Sequence, residues 1–128
     1  MNIAIDIDDT LTESFDYFLP YVAEYFGADK EELRKQNISY SNLPKEWKKD
    51  EIGFCKAYYD HIVPDTPFKP DAAWGVKRLR ELGHRIVIIT ARTDALYTDP
   101  YQTTEQELAN GGICYDKLIC TFEKAKRG

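Results

Sequence analysis

Residues 3–10 read Ile-Ala-Ile-Asp-Ile-Asp-Asp-Thr, a short β-branched run that ends in acidic side chains. The pattern is typical of a buried strand whose carboxyl end delivers carboxylates to a loop. We therefore expect Asp6 and Asp8 at the carboxyl edge of a parallel sheet, where open α/β folds bind their ligands.

The loop that follows this strand, residues 6–12, is called the acid loop below. Its three acids, Asp6, Asp8 and Asp9, repel one another unless a cation or an electrophile balances them. A hard divalent ion such as Mg²⁺ suits oxygen ligands. An EF-hand calcium loop is excluded, because Leu11 and Tyr17 stand where it needs Gly and Glu. A set of solvated acids at a strand end is the alternative interpretation.

A second apolar run, residues 86–89, is the strongest strand signal in the sequence and leads into Thr90, Ala91 and Arg92. Parallel strands end at the same edge of a sheet, so we expect Thr90 to lie beside the acid loop. A hydroxyl and a guanidinium both donate hydrogen bonds of the kind that stabilise the oxygens of a phosphoryl group.

Other polar side chains have structural interpretations as well. Arg92 also suits an ion pair with Asp94 or Asp9. His61 and His84 have no nucleophile at a useful spacing, so structural roles are expected for both.

The spacing of apolar residues predicts the helices. These cover residues 12–26, a charged segment that ends at Gln36, residues 47–61 and residues 72–82. Pro20 lies inside the first and predicts a kink or a restart. Another helix is expected to open at Thr104, whose spacing to Glu107 fits a capping box. Residues 117–121 form a third short strand.

The order of strand, helical insert, helix, strand, helix, strand predicts an α/β fold with a parallel sheet. We expect a Rossmann-like, three-layer core formed by residues 1–12 and 70–128. Residues 13–69 are too long for one crossover and are expected to form a small helical cap inserted after the first strand.

Composition excludes several classes of protein. The 128 residues are 43% apolar and 30% charged, as in a globular domain, and the net charge of −5 argues against a nucleic-acid polymer as partner. Three cysteines without a CxxC spacing predict reduced thiols. With no signal peptide and no apolar run near the ~20 residues of a membrane span, we expect a cytoplasmic protein that does not bind membranes.

The sequence resembles the haloacid dehalogenase superfamily of phosphatases. The first motif of that family, Asp-x-Asp-x-Thr, matches Asp6 to Thr10, and the second, a Thr that ends an apolar strand, matches Thr90. The closer resemblance is to the bacterial 5′(3′)-deoxyribonucleotidase-like branch. It rests on Asp-Ile-Asp-Asp-Thr-Leu, on Thr-Ala-Arg and on the short helical cap.

The resemblance implies a Mg²⁺-dependent phosphomonoester hydrolase. Asp6 would be the nucleophile that forms an aspartyl-phosphate and a ligand of Mg²⁺. Asp8 would protonate the leaving oxygen, activate the hydrolytic water and offer its backbone carbonyl to the metal. Contacts with the substrate are expected from Thr10, Ala91 and Arg92.

The resemblance also assigns groups to the phosphoryl oxygens. Thr90 would donate a hydrogen bond to the transferring group. The third motif is a Lys after the third strand, and Lys124 matches it best, ahead of Lys126 and Lys117. Such a Lys would offset the negative charge of the transition state.

The sequence departs from the family pattern at the fourth motif, paired acids after a further strand, which has no counterpart after Lys124. We therefore expect a C-terminally shortened member with one or more C-terminal strands missing. Residues 2–7 would then form an apolar sheet edge, through which a homodimer is expected.

A small phosphorylated substrate is the expected partner, and a nucleoside monophosphate is the leading candidate. The alternatives are a phosphatase of sugar phosphates and a remnant that binds Mg²⁺ or a phosphorylated ligand without turnover.

Overall fold

The structure is a computed structural model that describes residues 1–92 and 96–120. This part of the chain contains three parallel strands that are connected mainly by helices. The strands are β1 (Asn2–Ile5), β2 (Arg85–Thr90) and β3 (Lys117–Cys120). The helices are α1 (Ser14–Phe26), α2 (Lys30–Lys35), α3 (Lys45–Lys48), α4 (Glu51–Ile62), α5 (Ala72–Glu81) and α6 (Pro100–Asn110), with a 3-10 turn at Val63–Asp65. The expected α/β class with a parallel sheet is confirmed.

The register of the sheet fixes which strand ends meet. The strand order is β1-β2-β3, and the pairs include Ile5 with Ile88 and Thr90 with Cys120. β2 is central, and Ile86 and Ile88 on it are fully buried. Because all three strands are parallel, the acid loop after β1 and the chain after Thr90 leave the sheet at the same edge.

The two ends of the helical segment between β1 and α5 lie next to each other in the fold. Thr12 and Phe68 form an isolated antiparallel bridge, and the Lys69 amide donates to the Leu11 carbonyl at 2.8 Å. Both ends of the segment therefore lie against the end of the acid loop.

Apolar side chains form two clusters. One packs within the helical segment around Phe18, Leu19, Val22 and Phe54, and Tyr97 also belongs to it. The other lies against the sheet and includes Ile7, Val76, Ile86, Ile88 and Leu108. Tyr97 follows β2 in the chain, so its packing links the end of β2 to the helical segment.

α1 is continuous from Ser14 to Phe26 with Pro20 inside it, so of the kink or restart expected at Pro20 the restart does not occur. One helix prediction in the first half of the chain is wrong. The helix expected over residues 47–61 is two helices, because α3 ends at Lys48 and α4 starts at Glu51.

The predicted helix start at Thr104 is also wrong. α6 begins at Pro100, which occupies its first turn, and the Asp99 side chain accepts a hydrogen bond from the Gln102 amide at 3.1 Å. Proline is favoured at this position because the first helical residue has no intrahelical acceptor for its N–H. Thr104 and Glu107 consequently lie inside the helix, where both are fully buried.

Within residues 1–92 and 96–120, no helix is both long enough and apolar enough to cross a membrane.

Candidate active site

The acid loop begins with a tight turn around Ile7. The Ile7 carbonyl accepts hydrogen bonds from the amides of Thr10 at 3.1 Å and Leu11 at 2.9 Å. The Oδ1 atom of Asp6 accepts from the Ile7 amide at 2.8 Å. Ile7 itself is fully buried, whereas Asp6 is exposed and Asp8 is partly exposed. The turn thus anchors the loop by an apolar side chain and leaves the carboxylates on either side of it near solvent.

Asp9 ties the acid loop to the helical segment. It has a left-handed backbone, with φ of 60°, a conformation in which a non-glycine residue needs support from its surroundings. Oδ1 accepts from the Phe15 amide at 2.8 Å, and Oδ2 accepts from the Tyr40 hydroxyl at 2.6 Å. Lys69 Nζ donates to the Asp9 carbonyl at 2.9 Å. Sequence patterns gave no sign of the contacts with Tyr40 and Lys69, because these partners lie 31 and 60 positions from Asp9.

Tyr40 carries this contact from the region between α2 and α3. Its ring packs edge-to-face against Phe18, with 4.7 Å between the ring centres. Burial raises the pKa of the Tyr40 phenol, and the carboxylates of Asp8 and Asp9 raise it further. The phenol is therefore a neutral donor to Asp9 at physiological pH.

Asp8 is held from two sides. The Ser14 hydroxyl donates to Asp8 Oδ1 at 3.3 Å, and Arg92 Nη2 approaches the same oxygen at 3.2 Å. Ser14 and Thr12 are fully buried and share a hydrogen bond of 2.5 Å. The side chain of Asp8 keeps 31% of its surface exposed, against 2% for Arg92.

Arg92 is a buried cation with several partners. Its Nη1 atom donates to Glu107 Oε1 at 2.6 Å and to Thr104 Oγ1 at 2.9 Å. The guanidinium carbon lies 5.7 Å from the ring centre of Tyr97. Burial lowers the pKa of Arg92, but Asp8, Tyr97 and Glu107 outweigh it, so that the net pKa is raised. Arg92 therefore stays charged in the protein interior.

Glu107 completes this group of charges from α6. Its side chain is fully buried. Burial raises the pKa of the Glu107 carboxyl, although the charge of Arg92 and its hydrogen bond oppose the shift. Thr104, Glu107 and Leu108 share one face of α6 at spacings of three and four residues, and all three are fully buried. The sequence alone does not identify Glu107 as buried, because the same spacing from Thr104 also fits a capping box.

The remaining candidate residues are placed as follows. Thr90 is the last residue of β2 and is 1% exposed. Thr10, within the acid loop, and Ala91, directly after β2, are both exposed. Lys124 and Asp94 lie outside the described residues. The structure therefore brings Asp8 and Arg92 into contact, with Thr90 two residues before Arg92 at the same edge.

The described residues do not complete a Mg²⁺ site. Magnesium requires about six oxygens in near-octahedral array. The acid loop offers the Asp6 carboxylate and the Asp8 carbonyl, and in residues 1–92 and 96–120 no group of three or more His, Cys, Asp or Glu side chains could hold a metal ion. The steps proposed below are therefore assigned to protein groups alone.

Comparison with known proteins adds no family assignment. No protein-family model matches the chain, and a search of curated proteins finds no match.

Proposed function

We propose that this chain is a phosphomonoester hydrolase of the haloacid dehalogenase type, which works through an aspartyl-phosphate and acts on nucleoside monophosphates. The observation that carries the proposal is the contact of 3.2 Å between Asp8 and Arg92. It brings the acid loop after β1 against the end of β2, so the carboxylates of the acid loop and the hydroxyl of Thr90 lie at one edge of the sheet. Clustered carboxylates at such an edge suit an electrophilic substrate whose charge the protein also balances.

The first step transfers the phosphoryl group to the protein. A carboxylate oxygen of Asp6 attacks phosphorus while the bond from phosphorus to the leaving oxygen breaks. Asp8, protonated at this point, gives its proton to the leaving oxygen, and the alcohol departs. The product is an aspartyl-phosphate on Asp6.

The second step releases phosphate. Asp8, now a carboxylate, takes a proton from water as the water oxygen attacks phosphorus. The bond between phosphorus and the Asp6 oxygen breaks, which restores both carboxyl groups to their starting state. In this proposal Thr90 donates a hydrogen bond to the phosphoryl group, and Lys124 supplies positive charge.

The nucleoside is assigned to the face between the acid loop and the helical segment. Tyr40, which is partly exposed and donates a hydrogen bond to Asp9, offers an aromatic ring on which a base can stack. In this arrangement residues 13–69 serve as the cap, fastened to the acid loop through Asp9 and Tyr40. A cap of this kind excludes water while Asp6 attacks.

A second candidate function is binding of a phosphorylated ligand without turnover. The observation that favours it is the incomplete set of metal ligands among the described residues. In this case Asp8 and Arg92 would still form a polar site, but phosphoryl transfer would not follow.

The test is a screen for phosphate release from nucleoside monophosphates, sugar phosphates and p-nitrophenyl phosphate, at several Mg²⁺ concentrations. The proposal requires turnover that Asp6→Asn abolishes, with nucleoside monophosphates preferred. A matched control is Asp116→Asn, since Asp116 is a carboxylate at the opposite edge of the sheet, paired with Arg80 at 3.1 Å.

The results of the screen distinguish the substrate class, the mechanism and the second candidate function. Preference for sugar phosphates would contradict the substrate class only. Phosphate release that survives Asp6→Asn would contradict the mechanism. Binding of a phosphate ester without release of phosphate would select the second candidate.

A further inference from the structure

Arg92 and Glu107 form a buried ion pair that a stabilising role does not explain. The Arg92 and Glu107 side chains are 2% and 0% exposed and lie 2.6 Å apart. Taking two charges out of water costs several kcal/mol per ion, and apolar residues of similar volume are often as stable or more so. A buried pair of this kind is therefore weak evidence for a stabilising role.

The pair is also incompletely satisfied. Among the described residues, Arg92 Nε and Glu107 Oε2 are buried without a hydrogen-bond partner. A buried polar atom that is left unpaired lowers the free energy of unfolding, because it has lost its hydrogen bonds to water. The network thus retains a cost that a purely structural arrangement would not need.

The hydrogen bonds of Arg92 connect this ion pair to Asp8. Arg92 has its Nη1 atom on Glu107 and Thr104, and its Nη2 atom on Asp8 Oδ1. The planar guanidinium fork has a fixed shape, so holding one side of the fork fixes the other. Glu107 on α6 consequently determines where Arg92 meets Asp8.

This arrangement leaves little of Arg92 for a substrate. The guanidinium is almost completely buried, whereas Asp8 is partly exposed, so Arg92 approaches Asp8 from the protein interior. Contact with a phosphoryl group would require Arg92 to move out past Asp8 and away from Glu107.

We infer that Arg92 and Glu107 are positioning residues for Asp8, with Glu107 holding Arg92 and Arg92 holding one carboxylate oxygen of Asp8. This inference rests on the proposed function, because it assigns the pair to the residue that moves protons in both steps. Arg92 is thus assigned an effect on catalysis through Asp8, in place of the expected contact with the substrate.

The main variant is Arg92→Met/Glu107→Met, which exchanges the buried pair for apolar residues of similar volume and avoids an unpaired buried charge. Its thermal unfolding midpoint should equal or exceed that of the wild type. Arg80→Met is the matched control, because Arg80 forms an exposed ion pair with Asp116.

Two substrates with different leaving groups distinguish a positioning role of Arg92 from direct contact between Arg92 and the substrate. A nucleoside monophosphate needs a proton from Asp8, so its kcat should fall about a hundredfold in the double variant, as for loss of general acid catalysis. p-Nitrophenolate leaves without a proton, so the double variant should release about one nitrophenolate per protein in a burst. Slow turnover should follow the burst, because hydrolysis of the aspartyl-phosphate still needs Asp8.

Two kinetic results would overturn the inference. Full turnover of nucleoside monophosphates by a folded double variant would mean that Asp8 needs no positioning. An equal loss for both substrates without a burst would place Arg92 on the phosphoryl group instead.

A thermodynamic cycle tests the same link without turnover. Asp8→Asn should lower the unfolding midpoint in the wild type, because it weakens the contact with Arg92, and should have a smaller effect in the double variant. The effects should depart from additivity by more than about 2 °C. A wild-type protein that releases no phosphate would refute the proposed function alone, whereas additive midpoints would refute the link between Asp8 and the pair.

Discussion

The Nη2 atom of Arg92 lies 3.2 Å from Oδ1 of Asp8, although the two residues are 84 positions apart in the sequence. The contact exists because β1 and β2 are adjacent and parallel.

Asp6→Asn should abolish phosphate release, because an amide does not form the acyl-phosphate. The expected loss exceeds about a thousandfold, comparable with removal of other catalytic groups. Steady-state phosphate release from a nucleoside monophosphate is the measurement, with Asp116→Asn as the control. Activity above about a tenth of the wild type would exclude Asp6 as the nucleophile.

Thr90→Val should lower kcat more than it raises KM, since valine keeps the shape of the side chain and removes the hydroxyl. The loss should be similar for every phosphomonoester, because Thr90 is assigned to the phosphoryl group common to all of them. Kinetics with alkyl and aryl esters would measure it. A loss that followed the basicity of the leaving group would contradict the assignment.

Mg²⁺ should bind this chain only weakly. Within residues 1–92 and 96–120, two oxygens from Asp6 and Asp8 leave most ligand positions to water, so less of the ion's charge is balanced. The expected Kd is about 1 mM or weaker, roughly −4 kcal/mol or less favourable. Calorimetric titration would decide, and removal of the metal by a chelator should leave the unfolding midpoint unchanged. Micromolar affinity would show that other residues complete the site.

The free energy of unfolding should fall as the pH rises from about 4.5 to 7. Burial raises the pKa of Glu107 from 4.5 to about 7, so in this range the folded protein holds a proton that the unfolded chain has released. The contribution is present below pH 4.5 and is lost as the pH passes through 7, with a loss of about 3 kcal/mol at most.

Chemical denaturation at several pH values would measure this dependence, and Glu107→Gln should flatten it. The lowered pKa values of Asp60 and Asp116 act below pH 4, outside this range. A slope that persisted in Glu107→Gln would assign the dependence to other groups.

Asp9→Ala should destabilise the protein more than Asp9→Gly. Both variants lose the hydrogen bonds to Phe15 and Tyr40, but glycine adopts the left-handed backbone at position 9 without strain. Tyr40→Phe removes one hydrogen bond to a carboxylate and should cost about 1–2 kcal/mol. Urea denaturation of the three variants gives the order. Equal stability of Asp9→Ala and Asp9→Gly would mean that the backbone there is unstrained.

The parallel sheet was predictable because its signals are local. Residues 3–10 and 86–92 each show an apolar run that ends in polar residues, and the order of elements limits how such runs can pair. The presence of Asp6, Asp8 and Arg92 at one edge follows from that pairing.

Glu107 was misassigned for a physical reason. The spacing between Thr104 and Glu107 is the same in a capping box and on a buried helix face. Only the position of Arg92, supplied by a different part of the chain, distinguishes the two. Asp9 was missed likewise, because Tyr40 reaches it through the packing of the helical segment.

The pairing of Asn2 with Arg85 has a consequence for synthesis of the chain. β1 leaves the ribosome before β2, which is its partner in the described sheet. The helical segment between them carries its own hydrophobic cluster, so it has contacts available earlier, and contacts close in sequence form fastest. We expect the helical segment to fold during translation while β1 is still unpaired, exposed to chaperones and to pairing with other chains.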